Sequence, residues 1–413
     1  MANRSYGGIG RALAERNFRI FTIGSSLALV GMWIQRIGVG WLAWQLTKSP
    51  AWLGMIAFAD LFPTVIFTPI AGAIADRMDR LKIMKITQML AMIQSIVLAT
   101  LTMLDWIDIW AMFGLSLFLG IVLSFNVAAR LAMTASMISK ENLAAAIALS
   151  SGIFNLARFL GPAVGGFIIV HWGVGVAFAV NSVSFLSMLI GLYMMHDLFY
   201  EELASRKANI FRQTYEGFAY AFRHPGIGPT LLALNAVGFG LKPFIDMLPG
   251  VSDLIYQMGA HGLSMLASAT GLGALVSALW LAQRGTVRNV SFFSLLSLLI
   301  GGASLMLLAA TDIFFIGLAC AFVCGAAMTV NGTGTQTLMQ NSVESSMRGR
   351  VMSLYGVIFR GTPALGALCM GTASEIIGLP AVFVCGGALS VAAFAWMWRR
   401  RGIVAASLEK EPD

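Results

Sequence analysis

The sequence predicts an all-α membrane protein, with twelve transmembrane helices in two pseudo-twofold-related six-helix bundles. Three observations carry this reading. Of 413 residues, 58% are hydrophobic and 11% charged, whereas soluble globular chains carry about 25% charged residues. Apolar runs of about 20 residues, the length that crosses a bilayer, recur along the whole chain. The two halves also match each other at one constant shift.

Twelve runs fall near residues 18–46, 50–75, 82–104, 109–131, 144–170, 174–196, 228–254, 260–283, 289–311, 313–338, 350–374 and 378–398. Only Thr311 and Asp312 separate the ninth from the tenth. Orientation follows from the cations, because loops rich in Lys and Arg stay on the cytoplasmic side. Of 27 Lys and Arg residues, four (Arg36, Arg158, Lys242, Arg360) lie within runs and Lys48 falls in an outer loop. The remaining 22 sit in or beside segments that are cytoplasmic if the N-terminus is. Both termini are therefore expected to be cytoplasmic.

Residues 1–196 are read as an N-terminal bundle, 197–227 as a cytoplasmic linker and 228–413 as a C-terminal bundle. Within the linker, Phe211, Tyr215, Phe218 and Phe222 recur at helical spacing with Arg212, Glu216 and Arg223 between them. That pattern predicts an amphipathic helix on the membrane surface, ended by His224-Pro225-Gly226. Adding 205 maps Asn126 onto Asn331, Leu149 onto Leu354, Gly161 onto Gly366, Gly166 onto Gly371, Gly173 onto Gly378 and Phe178 onto Phe383. Duplicated bundles with a binding site at their interface are a transporter architecture.

The same arithmetic excludes other classes. The four cysteines lie in apolar runs, and Cys320 and Cys324, one turn apart, have no His or third Cys nearby. Core packing is expected there, with no metal and no disulfide framework. Basic loops account for the net charge of +8 without nucleic acid. The first run is too long for a cleavable leader and contains Gln35-Arg36. No Gly-x4-Gly-Lys-Ser/Thr pattern occurs, so nucleotide hydrolysis is not expected.

Two motifs stand out. After the second run comes Gly72-Ala-Ile-Ala-Asp76-Arg77-Met-Asp79-Arg80-Leu-Lys82. The helix dipole favours Arg77 and Arg80 at a helix end and disfavours Asp76 there. Two readings fit Asp76: a charged hinge against the other half, or a solvated turn. In the fifth run, Gly152 is followed by Gly161-Pro162-Ala-Val-Gly165-Gly166. Glycines at this spacing let helices approach closely, and Pro162 removes a backbone hydrogen bond.

These segments resemble the major facilitator superfamily: the first motif its signature between the second and third helices, the fifth-run pattern that of its antiporter branch. Arg16-Asn-Phe-Arg19, Phe154-Asn155-x-Ala-Arg158 and Arg348-Gly-Arg350-Val-Met-Ser353 narrow the resemblance to the branch of siderophore exporters and macrolide efflux transporters. The resemblance implies a two-bundle transporter working by alternating access. It implies that Asp76 docks near Arg350 at the start of the eleventh helix, and that the Gly161-Pro162 helix seals against a helix of the other half.

Six ionisable residues lie well inside runs: Arg36, Asp60, Arg158, Lys242, Asp246 and Arg360. At ~3 kcal/mol each against lipid, they must face the protein interior, a water-filled cavity or one another. Arg36 and Asp60 are equidistant from Lys48, which permits an ion pair, and Lys242 and Asp246 stand one turn apart. Either the pairs only hold helices together, or Asp60 or Asp246 gains and loses a proton as the cavity changes sides. Four cations against two acids leave an interior excess of +2, which fits an anionic or siderophore-like substrate. The tenth run ends in Thr329, Asn331, Thr333, Thr335 and Gln336, polar groups expected to bond between helices.

The expected function is proton-coupled export of small organic molecules across a bacterial inner membrane. An importer of the same fold and a transport-inactive scaffold are the alternatives. Small-molecule substrate, protons and membrane lipids are the expected partners of a monomer that is not an enzyme and holds no cofactor.

Overall fold

The computed structural model describes residues 8–75, 78–139, 141–195, 210–284 and 288–409, without the side chains of 131, 132, 134, 135, 210–216, 345 and 346. Every regular element among these is helical. The first six spans are α2 (Arg16–Thr47), α3 (Pro50–Ala75), α4 (Arg80–Met103), α5 (Ile109–Ser136), α6 (Leu143–Trp172) and α7 (Val174–Tyr193). The seventh, Ile227–Ile255, joins α9 (Ile227–Ala236) and α10 (Phe244–Gly250) through a π-helical turn at Val237–Leu241, and a second π-turn follows at Val251–Ile255. Then come α11 (Gly259–Arg284), α12 (Val290–Ala310), α13 (Phe314–Ser342), α14 (Ser345–Ile377) and α15 (Leu379–Trp398). Among the described residues, twelve helices are thus long and apolar enough to cross a membrane.

Three shorter helices are also found among the described residues: α1 (Gly8–Ala14), α8 (Ile210–Arg223) and α16 (Arg401–Leu408). The α8 helix falls where the linker pattern places one, and it stops at Arg223, immediately before His224-Pro225; the side chains of Phe211, Arg212, Tyr215 and Glu216 lie outside the described residues. Phe218 and Phe222 are exposed and stack at 4.4 Å, while Gly217 lies against the Arg350 backbone.

Local chemistry explains the helix ends. Asp79 caps α4, its carboxylate accepting from Leu81 N at 2.8 Å. Glu409 caps α12, accepting from Asn289 N, Ser291 N and Ser291 Oγ. The α6–α7 and α14–α15 junctions turn on one residue each, Gly173 at φ +87° and Gly378 at φ +82°. With ψ of 169° and 153°, both occupy a region that essentially only glycine adopts. The two are 205 residues apart, so the repeat is visible in backbone conformation.

The chain forms two compact units that do not follow the chain halves strictly: residues 1–47 with 62–205, and residues 48–61 with 206–413. In unit 1, α2 packs on α6 and α7, and α4 on α5 and α7, around Phe18, Phe21, Met84, Met133, Phe185 and Leu192. In unit 2, α13 lies against α11 and α12, and α12 against α15. The start of α3 belongs to unit 2 because its backbone meets α14: a Cβ on Gly54 would collide with the Ala367 carbonyl, and one on Gly371 would lie 2.5 Å from Pro50 O. Lys48 Nζ also pairs with Asp253 Oδ2 at 2.7 Å, and Ser49 Oγ donates to Glu375.

Large apolar side chains stand outward along the spans, among them Ile23, Ile96, Val183, Leu279, Leu307 and Phe315. So much exposed apolar surface is compatible with lipid, not water. Trp106 and Trp172, at span ends, are 72% and 60% exposed, as expected of a membrane-interface belt.

Gly173→Ala and Gly378→Ala should each cost about 1–3 kcal/mol of stability. Gly114→Ala, whose added Cβ meets nothing within 4 Å, should not. Thermal unfolding of the detergent-purified protein checks this. Equal midpoints for all three variants would contradict the backbone argument.

Candidate transport site

In unit 1 the site begins with the glycines of α6. A Cβ on Gly161 would collide with Trp33 Cβ, and one on Gly165 would lie 3.2 Å from Ile34 Cα. With Pro162 and Gly166 also buried, α6 lies directly against α2. One turn before Gly161, Arg158 is thereby carried to the Trp33 ring, its Cζ 5.7 Å from the centroid. Arg36, one turn after Trp33 on α2, places its Cζ 5.6 Å from the same centroid. Phe154 meets the indole edge-on at 6.0 Å. One aromatic ring thus serves two guanidiniums, an arrangement worth about 2 kcal/mol per cation when dry. Gly161 and Gly165 make these contacts inside unit 1: their missing side chains make room for α2.

The opposite side of α2 is held by a buried polar network. Asn181 Nδ2 and Ser95 Oγ donate to Gln35 Oε1 at 2.6 and 2.7 Å, and Gln35 Nε2 donates to Gln94 Oε1 at 3.0 Å. Four buried side chains from α2, α4 and α7 satisfy one another. The helix that carries Trp33 and Arg36 is fixed in rotation by this network.

Unit 2 uses the same device. Gly366, the repeat mate of Gly161, approaches the seventh span so closely that a Cβ would lie 2.8 Å from Phe239 O and from Pro243 Cγ. The seventh span is underwound here: Lys242 N donates to Val237 O, five residues back, at 2.9 Å. Such π-turns concentrate at functional positions. Lys242 Nζ sits 3.2 Å from the Phe359 ring centroid and donates to Phe359 O at 3.3 Å. Phe359 stacks on Tyr355 at 5.4 Å, and Tyr355 Oη donates to Gly332 O at 3.1 Å. Arg360 follows Phe359 on α14, and Asp246 lies one turn beyond Lys242.

Arg158 and Arg360 lie deep in the spans without a carboxylate partner among the described residues. Arg360 stands three residues before the repeat position of Arg158, less than one turn away. Arg36, Asp60, Lys242 and Asp246 all have further partners. Asp60 falls in the segment grouped with unit 2, whereas Arg36 belongs to unit 1.

Of the loop motif, Asp76 and Arg77 lie outside the described residues, so the expected Asp76–Arg350 contact does too. Gly72 has open space where a Cβ would be. Arg80 is buried at the first turn of α4. Arg348 Nη2 donates to Val343 O at 3.5 Å, and Arg350 Nη1 lies 3.2 Å from Met347 Sδ. Asn331 Nδ2 donates to Ser294 O at 3.1 Å, the expected interhelical bond, while Thr329 bonds back within its own helix. Cys324 is buried, its Sγ 3.7 Å from Gly301 O.

Residues 11–412 match the family described as transmembrane secretion effector. The chain belongs to that family, within the major facilitator superfamily of transporters. This transporter is 24% identical over 373 residues to the staphyloferrin A transporter of Staphylococcus aureus, covering 88% of this chain and 91% of that one. It is 22% identical over 380 residues to macrolide efflux protein A of Streptococcus pyogenes (90% and 93% covered), and 24% over 328 to the enterobactin exporter of Shigella flexneri (79% and 76%). Its fold matches the crystal structure of a bacterial homologue of the human lysosomal transporter Spinster with a TM-score of 0.73, at 12% identity over 96% of this chain and 98% of that one. The family and these relatives are transporters, not enzymes.

Replacing Gln35 with Leu should cost about 1–3 kcal/mol for each polar group left buried without a partner. The transporter's melting temperature should fall well below that of Gln45→Leu, an exposed position on the same helix. Matching midpoints would contradict the role assigned to the network.

Proposed function

We propose that this transporter is a proton-coupled exporter of small organic anions, acting by alternating access in a bacterial inner membrane with both termini cytoplasmic. The observation that carries this reading is the pair of intramembrane arginines, Arg158 and Arg360, without an acidic partner among the described residues. A cation within the bilayer costs ~3 kcal/mol on insertion scales unless something answers its charge. A carboxylate or phenolate on the cargo does so, through charge-assisted hydrogen bonds worth about 1.5–3 kcal/mol. Trp33, Phe154, Tyr355 and Phe359 supply aromatic faces beside the cations, suited to an amphiphile with a planar acidic group. The relatives named as staphyloferrin A transporter and enterobactin exporter support a siderophore-like cargo, and the efflux relatives support the outward direction.

Proton coupling is assigned to Asp60 and Asp246, the two interior carboxylates. A nearby cation holds a carboxyl ionised, and a substrate anion competing for that cation favours protonation. Substrate binding at the cation is thereby linked to the protonation state of the carboxylate, which ties transport to a proton gradient. Gly72, Asp76, Arg77, Arg80, Arg348 and Arg350 are assigned to the conformational change, with residues 1–196 and 228–413 as its moving bundles and 197–227 joining them.

Reconstituted vesicles with an imposed pH gradient test this. Arg158→Ala and Arg360→Ala should each lower the flux of an anionic siderophore at least about tenfold, with partial rescue by Lys. Asp60→Asn or Asp246→Asn should abolish gradient-driven flux while counterflow persists. Preference for a lipophilic cation over a matched anion, or unchanged flux in both arginine variants, would overturn the reading.

A further inference from the structure

A groove on unit 2, apart from the charged residues above, has the composition of a phospholipid site. It has a volume of about 420 Å³ and runs between the seventh and twelfth spans, lined by Leu232, Asn235, Phe239, Leu389, Ala393 and Trp396 among others. The two walls are antiparallel. From Trp396 to Leu389, and from Leu232 to Phe239, each descends about 10 Å into the membrane at 1.5 Å per residue. Leu232, Phe239, Leu389 and Trp396 are all exposed, at 43%, 39%, 41% and 38%.

The groove is graded in polarity from end to end. Its floor is Phe239 and Leu389. One turn below its mouth stands Asn235, whose Oδ1 accepts from Thr362 Oγ1 at 2.8 Å and whose amide nitrogen makes no bond among the described residues. At the mouth the Arg400 guanidinium lies over the Trp396 ring, 4.7 Å from its centroid. Arg399 and Arg401 are exposed beside it, Arg401 over Trp398 at 3.8 Å. The carboxylate of Glu409, on the helix that follows, is occupied in capping α12.

We propose that this groove binds one anionic phospholipid. An acyl chain lies along Phe239 and Leu389, an ester carbonyl accepts from Asn235 Nδ2, and the phosphate meets Arg400 at the membrane surface. Charge complementarity selects this occupant: three consecutive arginines at a span end attract anionic headgroups, and the groove below them is apolar. A neutral lipid would leave the arginines unanswered. A second copy of the chain would bring the same three arginines toward themselves.

The test reads Trp396 emission, taken as the difference between the full-length protein and Trp396→Phe, in phosphatidylcholine vesicles doped with bromine-labelled lipids. Bromine-labelled phosphatidylglycerol should quench at a mole fraction at least about fivefold lower than bromine-labelled phosphatidylcholine. Arg400→Ala should bring the two lipids together, and Ala393→Phe, which fills the groove, should remove quenching by both. Equal quenching in the unmodified protein, a preference that survives Arg400→Ala, or a dimer that buries Trp396 without anionic lipid would each overturn the assignment.

Discussion

The structure is governed by the cost of charge in hydrocarbon. Six ionisable side chains inside the spans, at ~3 kcal/mol each if they faced acyl tails, would together exceed the ~5–15 kcal/mol stability of a typical domain. Each must therefore be given an aromatic face, a backbone carbonyl or an opposite charge. Trp33 does this for Arg36 and Arg158, and Phe359 does it for Lys242. The helices are arranged to make those contacts, and glycines at the contact points let backbones come close enough to hold them.

The internal repeat shows that the arrangement is a design used twice. Gly161 brings α6 onto α2, and Gly366 brings α14 onto the seventh span. Gly173 and Gly378 then turn the chain into the following helix with nearly the same dihedral angles. What differs is the chemistry hung on the scaffold. Unit 1 stacks two guanidiniums on one indole and braces the helix with a Gln35–Gln94–Ser95–Asn181 network. Unit 2 underwinds its first helix at Val237–Leu241 and sets an amine on a phenyl ring. Two modules with one scaffold and unequal contents suit a transporter whose substrate is not itself symmetric.

Much of this is legible in the sequence. Span positions follow from apolar runs because unpaired backbone groups are too costly in lipid for any other structure, and the observed helices differ from the runs mainly by extending a turn or so beyond them. The interior charges stand out for the same reason. Their partners do not. Trp33 is three residues before Arg36, and Tyr355 is four before Phe359, spacings that put each pair on one helix face, but aromatics are too common in membrane helices for spacing alone to select them. The Gln35 network joins residues from three helices, and its pairing depends on helix rotation, which hydrophobicity leaves undetermined in an apolar span. The π-turn depends on how Gly238 and Pro243 pack against α14 and Gly240 against α15, a tertiary effect. The start of α3 joins unit 2 through Gly54 and Gly371, residues indistinguishable in sequence from many other small ones.

Two interior arginines without carboxylate partners give the account its functional content, and they invite a direct question about what surrounds them. Arg158→Cys and Arg360→Cys, each in a background with the native cysteines replaced by alanine, can be treated with a membrane-impermeant anionic thiol reagent or with a lipid-soluble one. The account predicts that the impermeant anionic reagent modifies both positions and that an excess of transported anion protects them. Modification by the lipid-soluble reagent alone, unaffected by any anion, would place these side chains against the bilayer and contradict the central claim.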